Sequence, residues 1–312
     1  VNAGIRTIQF NINTKVEGIG GNISGEGQDI YESVDKGQDS KKDIIVSPNV
    51  GYRVNTITVN GEPIEFTEEE NHIVILNKFI NMQENKEVIV TFKKIETSVL
   101  VHHYKENTTE QLSKDVTING EVGDDYTTQV ATDIPQNYEL VATPANATGS
   151  MTEEQIVVTY YYRLKTPNIT NQVINKTGKD RITVANQEMN YSITYRTEVT
   201  DYIGNAEVTI IDTLPYAIDE GKSDLAGGTY DSASKTITWK ENVSDINSYT
   251  GNGTVNITKN FKVVYVGLDM KQEKITNNVK GNIKLLTPEK TSEDVTGSQE
   301  STIYKAIIST EK

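Results

Sequence analysis

Short runs of alternating hydrophobic and polar residues, separated by turn-forming residues, limit what this chain can fold into. Runs such as RVNTITVNG, MNYSITYRTEV and NFKVVYVG are rich in Val, Ile, Thr, Tyr and Phe, and Gly, Asn, Asp and Pro lie between the runs. Alternation with a period of two is typical of β-strands with one buried face. Helical spacing is nearly missing, so the sequence predicts a mainly β protein built of sandwiches or barrels.

Length, charge and cysteine content exclude several classes of protein. The 312 residues suggest about two domains on length alone. A net charge of -14, spread along the chain, disfavours nucleic-acid binding. Cysteine is absent, which excludes disulfides and cysteine-based metal sites. No apolar run approaches the roughly 20 residues needed to cross a bilayer, so we expect no membrane segment in this part of the protein. We also expect no cofactor.

The first of three segments, residues 1–95, contains a two-part motif. It reads P..GY.V....VNG and then M..N..V.V.F, and the matching residues are Pro48, Gly51, Tyr52, Val54, Val59, Asn60, Gly61, Met82, Asn85, Val88, Val90 and Phe92. The pair Asn60-Gly61 predicts a two-residue hairpin turn. The motif resembles the small β repeat found in tandem in bacterial cell-surface proteins.

The second segment, residues 96–165, carries SVLVHHYKENTTEQL, GEVGDDYTTQ, NYELVATPANATGSM and IVVTYYYRL in that order. This order resembles the mucin-binding-protein (MucBP) repeat of Gram-positive surface proteins. The matching residues are Val99, Val101, Gly120, Gly123, Tyr126, Thr128, Tyr138, Leu140, Asn146, Gly149, Val158 and Tyr160. The resemblance implies a β-grasp-like module.

Two features of the second segment suggest metal binding, and for both a structural role is favoured. His102 and His103 are adjacent on a predicted strand, so their side chains point to opposite faces and cannot easily share one ion. The acidic turn at Asp124 and Asp125 lacks a recognised calcium-loop spacing. We therefore expect no metal site. An exposed face of the run Tyr160–Tyr162 is an alternative contact for glycan or protein.

The third segment, residues 166–312, follows a Pro-containing connector. It carries AEVTIIDTLPYAI, KTITWKENV and KITNNVKGNI in an order that resembles the immunoglobulin-like (Ig-like) domain of bacterial surface and fimbrial proteins. That resemblance implies a β-sandwich. It also implies an intramolecular isopeptide bond, in which a lysine of the first strand attacks an asparagine amide on a late strand, ammonia leaves, and a buried Asp or Glu shuttles the protons.

The chemistry of such a bond depends on burial. A lysine amine must be neutral to act as a nucleophile, and an apolar core lowers the pKa of a lysine while raising that of a neighbouring carboxyl group. Asp212 follows Val208 and Ile210 on one strand face and matches the acid, and Asn277 matches the amide donor. Both side chains are expected to face inward.

The lysine is harder to assign. The family pattern P.I.K.V, aligned on Pro167, Ile169 and Val173, places Asn171 where the lysine is expected. Lys176 is the nearby candidate, but it is out of phase with Ile169 and Val173, and only a different register turns it inward. The alternative is an uncrosslinked variant in which Asp212 caps its turn or hydrogen-bonds Asn171 and Asn277.

Together these modules predict a fragment of a Gram-positive cell-surface adhesin or stalk, extracellular and attached to the cell wall. By resemblance, its partners are host glycoprotein, mucin or extracellular-matrix protein, and we expect a monomer. A purely structural spacer is the alternative. An enzyme is not expected, since nucleophile motifs and paired catalytic carboxylates are missing. No leader or wall-sorting motif is recognisable, so both are expected to lie outside this sequence.

Overall fold

The computed structural model of the protein describes residues 6–246 and 252–304. Within these ranges the regular structure consists of β-strands and two short 3₁₀ helices, Glu70–His72 and Glu220–Lys222. The prediction of a mainly β protein is confirmed. The same described ranges contain no helix long and apolar enough to cross a membrane.

The chain divides into two compact units. One unit contains Val1–Thr132 and Val141–Tyr161, and the other contains Asp133–Leu140 and Tyr162–Lys312. The division between residues 1–95, 96–165 and 166–312 stays a prediction. These three ranges are called the first, second and third segments below.

The first segment forms two sheets around one hydrophobic core. Its strands are β1 (Gln9–Val16), β2 (Gly21–Ile23), β3 (Glu32–Asp35), β4 (Ile44–Pro48), β5 (Tyr52–Val59), β6 (Glu62–Pro63), β7 (Val74–Leu76) and β8 (Lys86–Lys94). The sheet orders are β3-β1-β8-β5-β6 and β2-β4-β7. Positive φ angles at Asn60 (54°) and Gly61 (84°) fit the predicted two-residue hairpin between β5 and β6. Alternate residues of both sheets, among them Ile12, Val46 and Val90, fill the core.

The second segment contains a four-stranded sheet of order β10-β9-β14-β12 and a small ladder of β11 and β13. The strands are β9 (Glu96–Lys105), β10 (Gln111–Glu121), β11 (Asp125–Thr127), β12 (Tyr138–Leu140), β13 (Thr148–Ser150) and β14 (Ile156–Leu164). His103 is buried and stacks on the ring of Tyr160, with 5.2 Å between the ring centroids. His102 lies on the opposite face, where its Nδ1 is 2.8 Å from a carboxylate oxygen of Asp115.

The third segment is a β-sandwich of two sheets, the architecture that its Ig-like resemblance implied. Its strands are β15 (Asn168–Gly178), β16 (Arg181–Ile182), β17 (Glu188–Thr200), β18 (Gly204–Thr213), β19 (Thr229–Asp231), β20 (Thr236–Ile246), β21 (Asn252–Val264), β22 (Lys274–Leu286), β23 (Glu289–Thr291) and β24 (Val295–Ile303). One sheet has the order β15-β17-β21, and the other has the order β16-β24-β22-β18-β20-β19, with β23 on β22. Inward residues of both sheets, including Tyr195, Ile210, Trp239 and Ile283, form one core.

Candidate functional site

Asp212 occupies an inward position at the end of β18. Val208, Ile210 and Asp212 are all fully buried, because alternate residues of this strand face the opposite sheet. β18 lies between β20 and β22, and Asp212 pairs with Ile237 and Val279 across the two ladders. The carboxylate therefore lies on a central strand of the sheet and faces the core.

A β-bulge in β15 brings Lys176 to the same interior. The pairing of β15 with β17 shifts register between Thr170 and Val173, and Asn171 has a φ of 52°. An extra residue in one strand reverses the faces of all residues that follow it. Ile174 and Lys176 are consequently 5% and 6% exposed, whereas Val173 is 44% exposed. The prediction that Val173 faces inward was wrong. The strand has the different register that turns Lys176 inward.

The Lys176 side chain is completely enclosed. Its Nζ contacts Oδ2 of Asp212, and both side chains have no solvent-accessible surface. The same Nζ lies 4.8 Å from the ring centroid of Tyr191 and 5.3 Å from that of Phe261. Burial lowers the pKa of Lys176 from 10.5 to about 6, because the charged form loses its hydration.

Asn277 supplies a buried amide on the neighbouring strand. Ile275, Asn277 and Val279 alternate inward along β22, and Asn277 is 1% exposed. Neither its Oδ1 nor its Nδ2 has a hydrogen-bond partner of ordinary length and angle among the described residues, and the same holds for Oδ1 of Asp212. Buried amides are nearly always satisfied, so this one requires an explanation.

Tyr191 links these groups. Its hydroxyl and that of Tyr265 lie 2.9 Å apart, and both rings are buried. Burial raises the pKa of Tyr191, while the neighbouring hydroxyl of Tyr265 and the side chain of Asn277 act in the opposite direction. Lys176 contacts the ring of Tyr191 and Asn277 faces its hydroxyl, so both groups adjoin the same side chain.

Tyr191 and Phe261 are residues of this site that the sequence did not predict. Both belong to alternating runs, MNYSITYRTEV and NFKVVYVG, whose period of two indicates which residues face inward. That signal identifies core residues, but it does not show that these two rings enclose a lysine.

Asn171, which aligns with the family lysine, is outside the site. Its Nδ2 donates a hydrogen bond of 2.7 Å to Oε2 of Glu198 at the surface. Asp212 contacts Lys176 through Oδ2 instead, and its Oδ1 has no partner in the described ranges. Asp212 therefore makes neither the turn cap nor the hydrogen bonds to Asn171 and Asn277 of the alternative, and the uncrosslinked variant itself stays a prediction.

The three side chains form a set suited to amide exchange. Lys176 provides an amine with a depressed pKa, Asp212 provides a carboxyl group in contact with that amine, and Asn277 provides an unpaired amide. A nucleophile, a proton carrier and an acceptor held in one enclosed place can react without turnover, because fixed groups reach very high effective molarities.

Comparison with known proteins identifies the second segment. Residues 98–163 match the MucBP domain family. Internalin J of Listeria monocytogenes serovar 1/2a is 40% identical over 67 residues, which are 22% of this chain and 8% of that protein. Internalin J of serotype 4b is 31% identical over 140 residues, which are 44% of this chain and 14% of that protein. The chain thus spans a small part of both relatives.

Solved structures provide a weaker likeness. BcpA, the major pilin subunit of Bacillus cereus, is 14% identical with a TM-score of 0.25, over 65% of this chain and 69% of that chain. Residues 98–163 are thus similar to a MucBP domain, and both relatives extend far beyond the part that this chain matches.

Proposed function

We propose that this chain belongs to an extracellular, wall-attached adhesin whose MucBP domain attaches to host glycoprotein, mucin or matrix protein. The match of residues 98–163 to the MucBP family is the observation that supports this proposal. Attachment of this kind needs a binding surface and no cofactor or catalytic turnover. A spacer without a ligand is the competing function.

An open cleft of about 540 Å³ in the second segment is the candidate binding surface. Residues 106–109, Val141 and Tyr161 line it. The side chains of Val141 and Tyr161 are 37% and 43% exposed. An exposed tyrosine offers an apolar face and a hydroxyl at low entropic cost, which suits contact with a sugar ring or a peptide.

Binding of the 312-residue chain to immobilised mucin, before and after enzymatic removal of its glycans, tests attachment. We expect saturable binding that Tyr161→Ala weakens by about tenfold, or about 1.4 kcal/mol. Tyr304→Ala is the matched control, since Tyr304 is 47% exposed and lies in the third segment. Absence of binding to mucin and to a panel of matrix proteins would favour the spacer.

We further propose that the third segment forms an isopeptide bond between Lys176 and Asn277. Neutral Nζ attacks the side-chain carbonyl carbon of Asn277, a C–N bond forms, and Nδ2 leaves as ammonia. Asp212 accepts a proton from the attacking amine and delivers one to the departing nitrogen. Burial of all three side chains and the contact between Lys176 and Asp212 support this assignment.

Intact-mass measurement tests the bond directly. The folded chain is expected to be one ammonia lighter than the mass calculated from its sequence. The variants Lys176→Ala, Asp212→Asn and Asn277→Ala are each expected to have the full mass calculated from their own sequences. Asn171→Ala is the control that keeps the loss. A wild-type chain at full sequence mass after prolonged folding would refute the proposal.

A further inference from the structure

The first and last strands of the first segment are neighbours that run in the same direction. β1 and β8 form a parallel ladder of five residue pairs, from Ile12 with Lys86 to Val16 with Val90. The N–H of Glu17 extends it by donating to the carbonyl of Val90 at 2.9 Å. The chain therefore enters and leaves this segment at opposite ends of one hydrogen-bonded pair.

The second segment repeats this arrangement. β9 and β14 are adjacent in its four-stranded sheet. Nε2 of Gln155 donates to Oγ of Ser98 at 2.8 Å near the beginning of both strands. Further along both strands, the rings of His103 and Tyr160 stack 5.2 Å apart. Residue numbers increase together along the two strands, which is the register of a parallel pair.

The third segment contains a shorter parallel ladder, which involves its second and last strands. The N–H groups of Thr302 and Tyr304 donate to the carbonyls of Asp180 and Ile182, each at 2.8 Å. β16, which follows β15, pairs in parallel with β24, the last strand. This ladder has two residue pairs, and β15, the first strand of the segment, pairs with β17 in the other sheet, so the two terminal strands do not form a parallel pair here.

From this recurrence in the first and second segments we infer a mechanical function: each of these two segments is a shear clamp that resists tension applied along the chain. Tension on a parallel pair of terminal strands pulls them past each other, so all hydrogen bonds of the ladder bear the load together. In an antiparallel terminal pair, the same tension opens the bonds one after another. Forced unfolding is governed by the barrier to unfolding rather than by equilibrium stability. The force that a segment resists therefore depends on the direction in which the load is applied.

The clamp suits a protein that remains attached while its ligand and its anchor are pulled apart. In the first segment it depends neither on ligand binding nor on a covalent cross-link, since this segment contains neither the MucBP domain nor Lys176. Its success or failure there is therefore separate from that of the proposed function.

Force spectroscopy with two directions of pulling tests the inference on the full chain. The protein contains no cysteine, so an introduced pair defines the two points of attachment. Thr7→Cys with Lys93→Cys loads β1 and β8 in shear. Thr7→Cys with Gln83→Cys holds the same two strands at one end and unzips them. All three positions are exposed.

We expect the shear pair to unfold at a force at least about twofold higher than the unzipping pair at equal loading rate, because the ladder bonds break together. A length gain of about 250 Å identifies the event as unfolding of this segment. Urea denaturation of both variants provides the equilibrium control, and similar midpoints assign the difference to direction. Equal forces in the two directions, at equal stability, would overturn the clamp.

Discussion

At the scale of single residues, the proton of Lys176 is the most consequential feature. A buried lysine is rarely tolerated unless it is paired or neutral. Here burial lowers the pKa of Lys176 to about 6, so the folded protein holds the amine largely neutral at pH 7. Stability should therefore depend on pH wherever the amine remains unreacted.

The variant Asn277→Ala exposes this dependence because its lysine has no amide to attack. Between about pH 6 and 10.5 the unfolded chain binds a proton at Lys176 that the folded chain lacks, so the free energy of unfolding should rise with pH. The slope is at most about 1.4 kcal/mol per pH unit, and it vanishes below pH 6, where both states are protonated. Urea titrations at several pH values measure it, with Asn277→Ala/Lys176→Met as the control that should lack this slope.

Tyr191 is the residue whose hydroxyl we expect to influence the cross-link. Tyr191→Phe leaves the buried hydroxyl of Tyr265 without its 2.9 Å partner. That loss should reduce the free energy of unfolding by about 1–3 kcal/mol. It should also slow the loss of ammonia during refolding, because Asn277 then faces a bare ring. The starting material is chain that was purified in urea before it folded and that has its full sequence mass, because a cross-link already formed would survive unfolding. Time-resolved mass spectra after dilution from urea then report the rate, and a rate equal to that of the wild type would remove Tyr191 from the reaction.

At the scale of elements, the bulge in β15 decides which side chains enter the core. Ile174 is buried and Val173 is exposed. Ile174→Ala should therefore cost about 2–5 kcal/mol, whereas Val173→Ala should cost less than about 0.5 kcal/mol. Chemical denaturation of this adjacent pair is a sensitive test of register, since an unbulged strand predicts the reverse order.

The same strand shows how far sequence reasoning reaches. Alternation along β18 and β22 correctly predicts that Asp212 and Asn277 face inward, because buried and less buried residues alternate without interruption in both strands. It fails for Lys176, because one residue with a positive φ, Asn171, shifts the phase. Asparagine adopts that conformation more readily than most residues, but its presence alone does not locate a bulge. The encounter of Lys176 with Tyr191 and Phe261 depends on the pairing of β17 and β21 beside β15 in one sheet, which periodicity does not encode.

At the scale of the whole molecule, stability resides in separate cores. One hydrophobic cluster contains residues between 10 and 92, another contains residues between 169 and 303, and none of the described residues belongs to both. We therefore expect the two clusters to unfold as distinct transitions.

Calorimetry of two core variants tests this independence. Ile57 is 1% exposed in the first cluster and Ile210 is fully buried in the second. Ile57→Ala and Ile210→Ala should each destabilise their own transition by about 2–5 kcal/mol and leave the other in place. Ile57→Ala should also retain the loss of one ammonia relative to its own sequence mass. A common shift of all transitions in either variant would show that the cores unfold together.

The enclosure of Lys176 also imposes an order in time. In an extended chain the amine keeps its ordinary pKa of 10.5, so at pH 7 only about one molecule in three thousand carries it in reactive form. The proposed cross-link would thus form only in the native sandwich, and a polypeptide still being threaded through a narrow opening would contain no covalent loop that obstructs its passage.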